Sequence, residues 1–123
     1  MLFRSDSVKV LEKTEEVIVS QNRPQIICKK AASEEDFLKL RRKMAQQSKD
    51  DEMISEAQKF FKNMCFTTEQ IRNLGVLFLN DEGRYRFYDA AMKYVLDFQN
   101  FGTLENTLTS TYYKKRFQAL IPE

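Results

Sequence analysis

Histidine and tryptophan are absent from these 123 residues, while glycine occurs three times and proline and cysteine twice each. Without histidine the chain lacks the usual general base at neutral pH, the Ser–His and Cys–His couples, and the common zinc ligand sets. So little glycine and proline excludes collagen-like and linker-like chains. No apolar run approaches the ~18 residues that would span a bilayer. The start, Met1 to Asp6, lacks the apolar core of a signal peptide. That leaves a cytosolic protein or a piece of a longer exported one, and the strand-like segment that follows almost at once favours the piece.

What is present is the mixture of a soluble globular domain, with 42% hydrophobic and 31% charged residues. The formal net charge is only +2. Residues 1–61 hold twelve Lys/Arg against eleven Asp/Glu, and residues 62–123 hold eight against seven. Neither half is the one-signed surface that releases counterions from nucleic acid. The short runs Arg41-Arg42-Lys43 and Lys114-Lys115-Arg116 are the only basic candidates. The acidic runs beginning at Glu34, Asp50 and Asp81 precede basic residues in the same segments, the order that complements a helix dipole.

The hydrophobic period changes along the chain. Val8 to Val10 and Glu16 to Val19 are β-branched and partly alternating, which predicts one or two short strands, followed by a turn or linker at Gln21 to Pro24. From Ser33 onward every signal is helical. Ser33 with Asp36, Ser48 with Asp51, and Thr67 with Gln70 are capping-box starts. Six apolar stripes follow at helical spacing, typified by Phe37, Leu40 and Met44 in the first and by Phe87, Ala91, Tyr94, Val95 and Phe98 in the fourth. Leu40 and Ile71 are 31 positions apart, as are Ile54 and Tyr85; Ile71 and Phe101, Leu74 and Leu104, and Phe78 and Leu108 are each 30 apart. A period near thirty predicts three stacked helical hairpins, about six helices, in an all-α domain over residues 33–123 behind a strand-like arm, residues 1–32. Gly75 inside the third segment predicts a close helix–helix approach.

Chemistry is sought and not supplied. Glu52 and Glu56 form an i, i+4 carboxylate pair on a solvated helix face. Asn80 to Gly83 is too short for a calcium loop and reads as a helix N-cap. Ser110 between two threonines has no base to activate it. No phosphate loop or zinc-protease motif is present, so no catalytic residue, cofactor or metal is assigned. Ten Phe and five Tyr are mostly core. Tyr88, Tyr112 and Tyr113 do not all fit one inward face, and Arg84, Lys114 and Lys115 adjoin them in sequence. Tyr with Arg is the composition of interaction hot spots, so these six form the candidate partner-binding set.

Cys28, Ser33 with Asp36-Phe37, Ser48 to Asp51, Ala57, Asn63 to Thr67, Gln70-Ile71 and Phe78 to Asp81 together resemble the DUF4476 family. The similarity runs without gaps from about Cys28 to Ile121, and Cys65-Phe66-Thr67 is its most specific piece. Members are largely exported proteins of Bacteroidetes-type bacteria, with some eukaryotic relatives. Their function is not established, so the resemblance implies a fold and a compartment, the periplasm or cell surface, and no activity. Many members carry a signal peptide and an N-terminal β-rich region, which would account for residues 1–20. The chain departs from the pattern at Tyr85 and Tyr88, where relatives usually carry Leu and Ala, and in Asp97 to Phe101, which lacks a Gly or Pro often placed there. Relatives often show a Cys at the positions of Cys28 and Cys65, and the resemblance implies a disulfide tying the arm to the corner between the second and third helices. The residues alone leave two buried thiols as the alternative.

The leading functional expectation is a non-enzymatic binding or structural module of an exported protein, facing a protein or cell-envelope partner. An enzyme or enzyme accessory domain using carboxylates or Tyr is the alternative, and nucleic-acid binding through the two basic runs is weaker still. The disulfide is checked by intact mass: reduction adds about 2 Da if the bridge exists, and no change means free thiols.

Overall fold

Hydroxyls and acids start the helices where the sequence places them. In the computed structural model, which describes residues 28–121, Ser33 caps α1 (Glu34–Ala45) and Thr67 caps α3 (Thr68–Gly75), each through a complete capping box. Asn80 caps α4 (Asp81–Ala91) by accepting from the Gly83 amide, and Ser110 caps α5 (Thr111–Leu120) by accepting from the Tyr113 amide. The helix α2 (Asp50–Phe61) departs from expectation. Its cap is Lys49, which makes no side-chain cap bond. Asp51 is turned instead to an ion pair with Arg86 of α4, so the Ser48–Asp51 capping box does not form. The strand-like stretches in residues 1–20 and the turn at 21–24 lie outside the described residues.

The domain is all-α, and its helices follow one another as three hairpins. The first is α1–α2, the second α3–α4, and the third pairs a 3-10 segment, Phe98–Thr107, with α5. The second helix of each hairpin packs on the next, α2 on α4 and α4 on α5, while α3 lies against the 3-10 segment. A short extended step enters each hairpin. The Cys65 amide donates to the Lys30 carbonyl and the Ala32 amide to the Cys65 carbonyl; the Phe66 amide donates to Tyr94 and the Leu96 amide to Phe66. These are isolated parallel bridges, Ala31 to Cys65 and Phe66 to Val95. They satisfy backbone groups that would otherwise be buried unpaired between the hairpins.

That ladder corrects the fourth apolar stripe. Helix α4 ends at Ala91, Met92–Tyr94 is a 3-10 turn, and Val95 is extended. Phe87, Ala91, Val95 and Phe98 are all buried, yet they do not share one helix. Helical spacing continued by coincidence through a β-branched residue that pairs with a neighbouring backbone.

Helices α1 to α5 and the 3-10 segment surround one core containing Leu40, Met44, Ile71, Leu74, Phe101 and Leu104, each fully buried. Burying a side chain of this kind contributes about 2 kcal/mol. Tyr88 lies at the centre of the later hairpins, with its ring against Phe101 at 6.4 Å and Phe117 at 5.8 Å. Gly75 of α3 lies against it: a Cβ there would stand 2.8 Å from the Tyr88 hydroxyl oxygen and 3.1 Å from its ring. This is the close approach expected of Gly75.

Cys28 and Cys65 form the disulfide, with Cα atoms 5.7 Å apart and a sequence separation of 37. It fixes the incoming chain beside the Ala31–Cys65 bridge. Loop-closure entropy assigns such a bond about 4 kcal/mol.

Three outcomes follow for thermal or denaturant unfolding. Gly75→Ala gains about 1 kcal/mol of helix propensity and loses about 1–3 kcal/mol by overpacking against a ring that cannot retreat, so the net is destabilisation. Gly102→Ala, with nothing within 4 Å of the added Cβ, leaves the midpoint unchanged within error. Cys28→Ser together with Cys65→Ser lowers stability by about 2–4 kcal/mol.

Candidate functional site

The six candidate binding residues separate into two groups. Arg84 and Tyr88 face inward. The Arg84 guanidinium donates from Nη2 to the Phe78 carbonyl at 2.7 Å, from Nη1 to the Thr107 carbonyl at 2.7 Å and from Nε to the Gly75 carbonyl at 3.2 Å. Gly75 is the last residue of α3 and Thr107 the last of the 3-10 segment. One cation therefore occupies the carbonyl-rich ends of two helical segments, where a positive charge is favoured. Tyr88 is 0% exposed. Its hydroxyl is 2.7 Å from the Thr107 hydroxyl, which itself donates to the Leu104 carbonyl at 2.7 Å. Burial pushes the Tyr88 phenol above its ordinary value, only partly offset by the Thr107 hydrogen bond and the Arg84 charge. The Tyr88 side chain is enclosed, and Arg84, committed to these carbonyls, keeps a partly exposed edge on the groove between the starts of α4 and α5.

Carboxylates close the same framework. Asp81, at the start of α4, accepts from the Ser110 amide at 2.7 Å and from the Thr109 amide at 3.0 Å, holding the entry to α5. Asp97 accepts from the Thr68 amide at 2.7 Å, at the first residue of α3, and from the Asn100 side-chain amide at 3.0 Å. Burial acts to raise both carboxyl groups. The amides and hydroxyl at Ser110 and Thr109 outweigh it for Asp81, and Asn100 and Thr68 outweigh it for Asp97, so both titrate below an ordinary aspartate. Asp36 is lowered as well, by the Ser33 amide of its capping box. These are anchors kept ionised, whereas a general acid at neutral pH needs a raised value. Glu52 is exposed, and Glu56 pairs with Lys59 at 3.3 Å.

Tyr112, Tyr113, Lys114 and Lys115 are on α5, the last helix of the stack. The structure joins Tyr112 and Tyr113 to two residues outside the candidate set, Tyr85 and Arg116. Ring centroids of Tyr112 and Tyr113 are 4.9 Å apart, and those of Tyr85 and Tyr113 5.7 Å. The Arg116 guanidinium stands 4.7 Å from the Tyr85 centroid, 5.7 Å from Tyr112 and 5.9 Å from Tyr113, within the range of cation–π attraction. Arg116 also donates to the Tyr112 hydroxyl at 3.4 Å. Tyr112 is 61% exposed. Tyr113 continues into an open groove of about 560 Å³ between the starts of α4 and α5, lined also by Leu79, Asn80 and Glu82. Leu79, 94% exposed, is the most exposed large apolar residue described.

The i, i+4 spacing of Tyr112 and Arg116 was available in the sequence as a signal for their contact. Tyr85 carried no such signal, because it reaches the pair from another helix. The two basic runs lie on α1 and α5, in the first and last hairpins, and those helices pack on different neighbours. Among the described residues no group of three or more Cys, Asp or Glu side chains could hold a metal ion, and no helix is long and apolar enough to cross a membrane.

With this geometry in place, comparison with known proteins gives one result. Residues 31–121 match the family model described as Domain of unknown function (DUF4476). Neither a curated protein nor a solved structure matches the chain.

Two measurements test the framework. Arg84→Ala leaves the Phe78 and Thr107 carbonyls short of a donor, while the Gly75 carbonyl keeps the Phe78 amide, and lowers unfolding free energy by about 2–3 kcal/mol; Arg84→Lys recovers only part, because an ammonium cannot span the same oxygens. Asp81 and Asp97 contribute stability that is complete above the ordinary aspartate value of 3.8. It is lost as pH falls through their lower folded values. Asp97→Asn therefore unfolds more readily at neutral pH and loses less on acidification than the parent.

Proposed function

The chain belongs to the DUF4476 family across residues 31–121, and on that premise we propose that it is a non-enzymatic binding module of an exported protein, presenting the outer face of α5 to a protein or cell-envelope partner. The observation that carries this reading is the Tyr85–Tyr112–Tyr113–Arg116 cluster. Exposed Tyr112 and Arg116 and half-buried Tyr113 are gathered over the buried ring of Tyr85. Tyr and Arg dominate binding hot spots because each offers a large, stiff contact area together with a polar edge. Leu79 extends the patch on the groove side.

The disposition of the other polar residues supports the same reading. Arg84, Asp81, Asp97, Tyr88 and Thr107 are engaged with main-chain or side-chain groups of their own fold. The Cys28–Cys65 bond fits an exported protein, since disulfides persist in oxidising compartments.

A photo-crosslinking amino acid in place of Tyr112, compared with the same group in place of exposed Leu38 on α1, tests this in the source cell. A discrete adduct from position 112 and none from position 38 is the expected result. Adducts from both positions alike, or from neither, contradict it.

A further inference from the structure

We propose that the partner of α5 is an acidic protein segment, whose carboxylate is held by Arg116 and whose apolar side chain packs on Tyr112. This rests on the binding reading above and names the chemistry that face selects.

Charge is the first argument. Helix α5 reads TYYKKRFQAL, with three cations and no acid anywhere along it. The cations of α1, by contrast, share their helix with Glu34, Glu35 and Asp36. Arg72 and Arg86 are paired with Glu69 and Asp51. Lys114, Lys115 and Arg116 are in no ion pair among the described residues, as is also true of Lys39, Arg41, Arg42 and Lys43 on α1; what distinguishes α5 is that no acid shares its helix. Tyr112, Lys115, Arg116 and Ala119 are all exposed, and their i, i+3, i+4, i+7 spacing places them on one face.

Geometry is the second. Stacking on Tyr85 at 4.7 Å holds the guanidinium in place before any ligand arrives. Nη1 donates to the Tyr112 hydroxyl at 3.4 Å, and the Tyr85 side chain interacts with the same guanidinium. Arg116 is exposed, and the planar fork of an arginine matches the two oxygens of a carboxylate. A positioned fork loses less freedom on binding than a mobile one.

The surroundings favour a short peptide over a continuous polyanion. Glu82 and Asp81 line the groove on one side of Tyr113. Glu105 accepts from Gln118 of α5 at 2.9 Å. A strand of phosphates running past α5 meets these carboxylates, whereas a single acidic segment does not have to. The exposed ring of Tyr112 and the side chain of Leu79 offer apolar contact that a phosphate backbone does not use.

The test is fluorescence anisotropy with the full oxidised chain and four labelled probes. These are a peptide alternating Glu and Phe, its Gln-for-Glu counterpart, single-stranded oligothymidylate, and phosphatidylglycerol vesicles. Expected is binding of the Glu–Phe peptide that weakens with salt, with the Gln counterpart about tenfold weaker. Arg116→Gln weakens the acidic peptide about tenfold and Arg116→Lys restores part of the loss. Arg116 is exposed, so an unchanged thermal midpoint shows that these variants remain folded. Equal affinity of parent and Arg116→Gln overturns the proposal, as does tighter binding of oligothymidylate or vesicles, or binding of no probe. Equal binding of both peptides, lost in Tyr112→Ala but kept in Arg116→Gln, overturns the acidic partner and leaves α5 as a binding face.

Discussion

A single guanidinium holds the second and third hairpins together. Arg84 leaves α4 and donates to carbonyls at the end of α3, in the turn that follows it, and at the end of the 3-10 segment. Helix ends leave carbonyls without intrahelical partners, and buried ones are costly to leave unmet. A planar, permanently charged group with donors on several edges can satisfy three at once where no neutral side chain can. Because Arg84 fixes Gly75 and Thr107 on either side of α4, it also fixes the slot that Tyr88 fills between them. The aromatic contacts of Tyr88 with Phe101 and Phe117 are built in that slot.

The aspartates work in the opposite sense. Asp97 reaches back from the third hairpin to an amide at the start of α3, and Asp81 reaches forward from α4 to the amides that begin α5. Each places an anion at the amide-rich start of a helix in a neighbouring hairpin, where the dipole favours it. The disulfide and the Ala31–Cys65 bridge extend the same principle to the incoming chain. Polar residues between the hairpins are therefore committed to assembly. Among the described residues helix α5 packs on α4 and on the 3-10 segment, and Tyr112, Lys115 and Arg116 are exposed on its outer side.

Much of this was legible in the chain itself. Capping boxes at Ser33 and Thr67, the cap at Asn80, the thirty-residue period and the crowded glycine at position 75 are local or periodic signals, and the fold honours them. Ser48 is not the cap because α2 begins one residue later, with Lys49 at the cap, and Asp51 pairs with Arg86 on another helix, a tertiary contact that no local pattern contains. Tyr94 and Val95 kept helical spacing while the backbone left the helix to pair with Phe66, and apolar periodicity cannot distinguish these cases. At the site, adjacency in sequence placed Arg84 and Tyr88 beside Tyr112 and Tyr113, while the fold turns the first two inward and brings Tyr85 and Arg116 to the latter pair. Both tyrosines of α4 meet α5, Tyr88 at buried Phe117 and Tyr85 at Tyr113 and Arg116, and which of them reaches the exposed residues depends on helix packing, so Tyr85 could not be chosen over Tyr88 in advance.

Amide hydrogen exchange followed residue by residue tests the interlocked framework most directly. If the aspartates and Arg84 bind the hairpins into one unit, the amides of Thr68, Thr109 and Ser110 exchange nearly as slowly as those in the middle of α4. They do so although they lie in first turns and connections, where exchange is ordinarily fast. Exchange of these three at the rate of an unstructured chain, with α4 still protected, would mean that the hairpins open independently and that the polar bridges do not hold the stack.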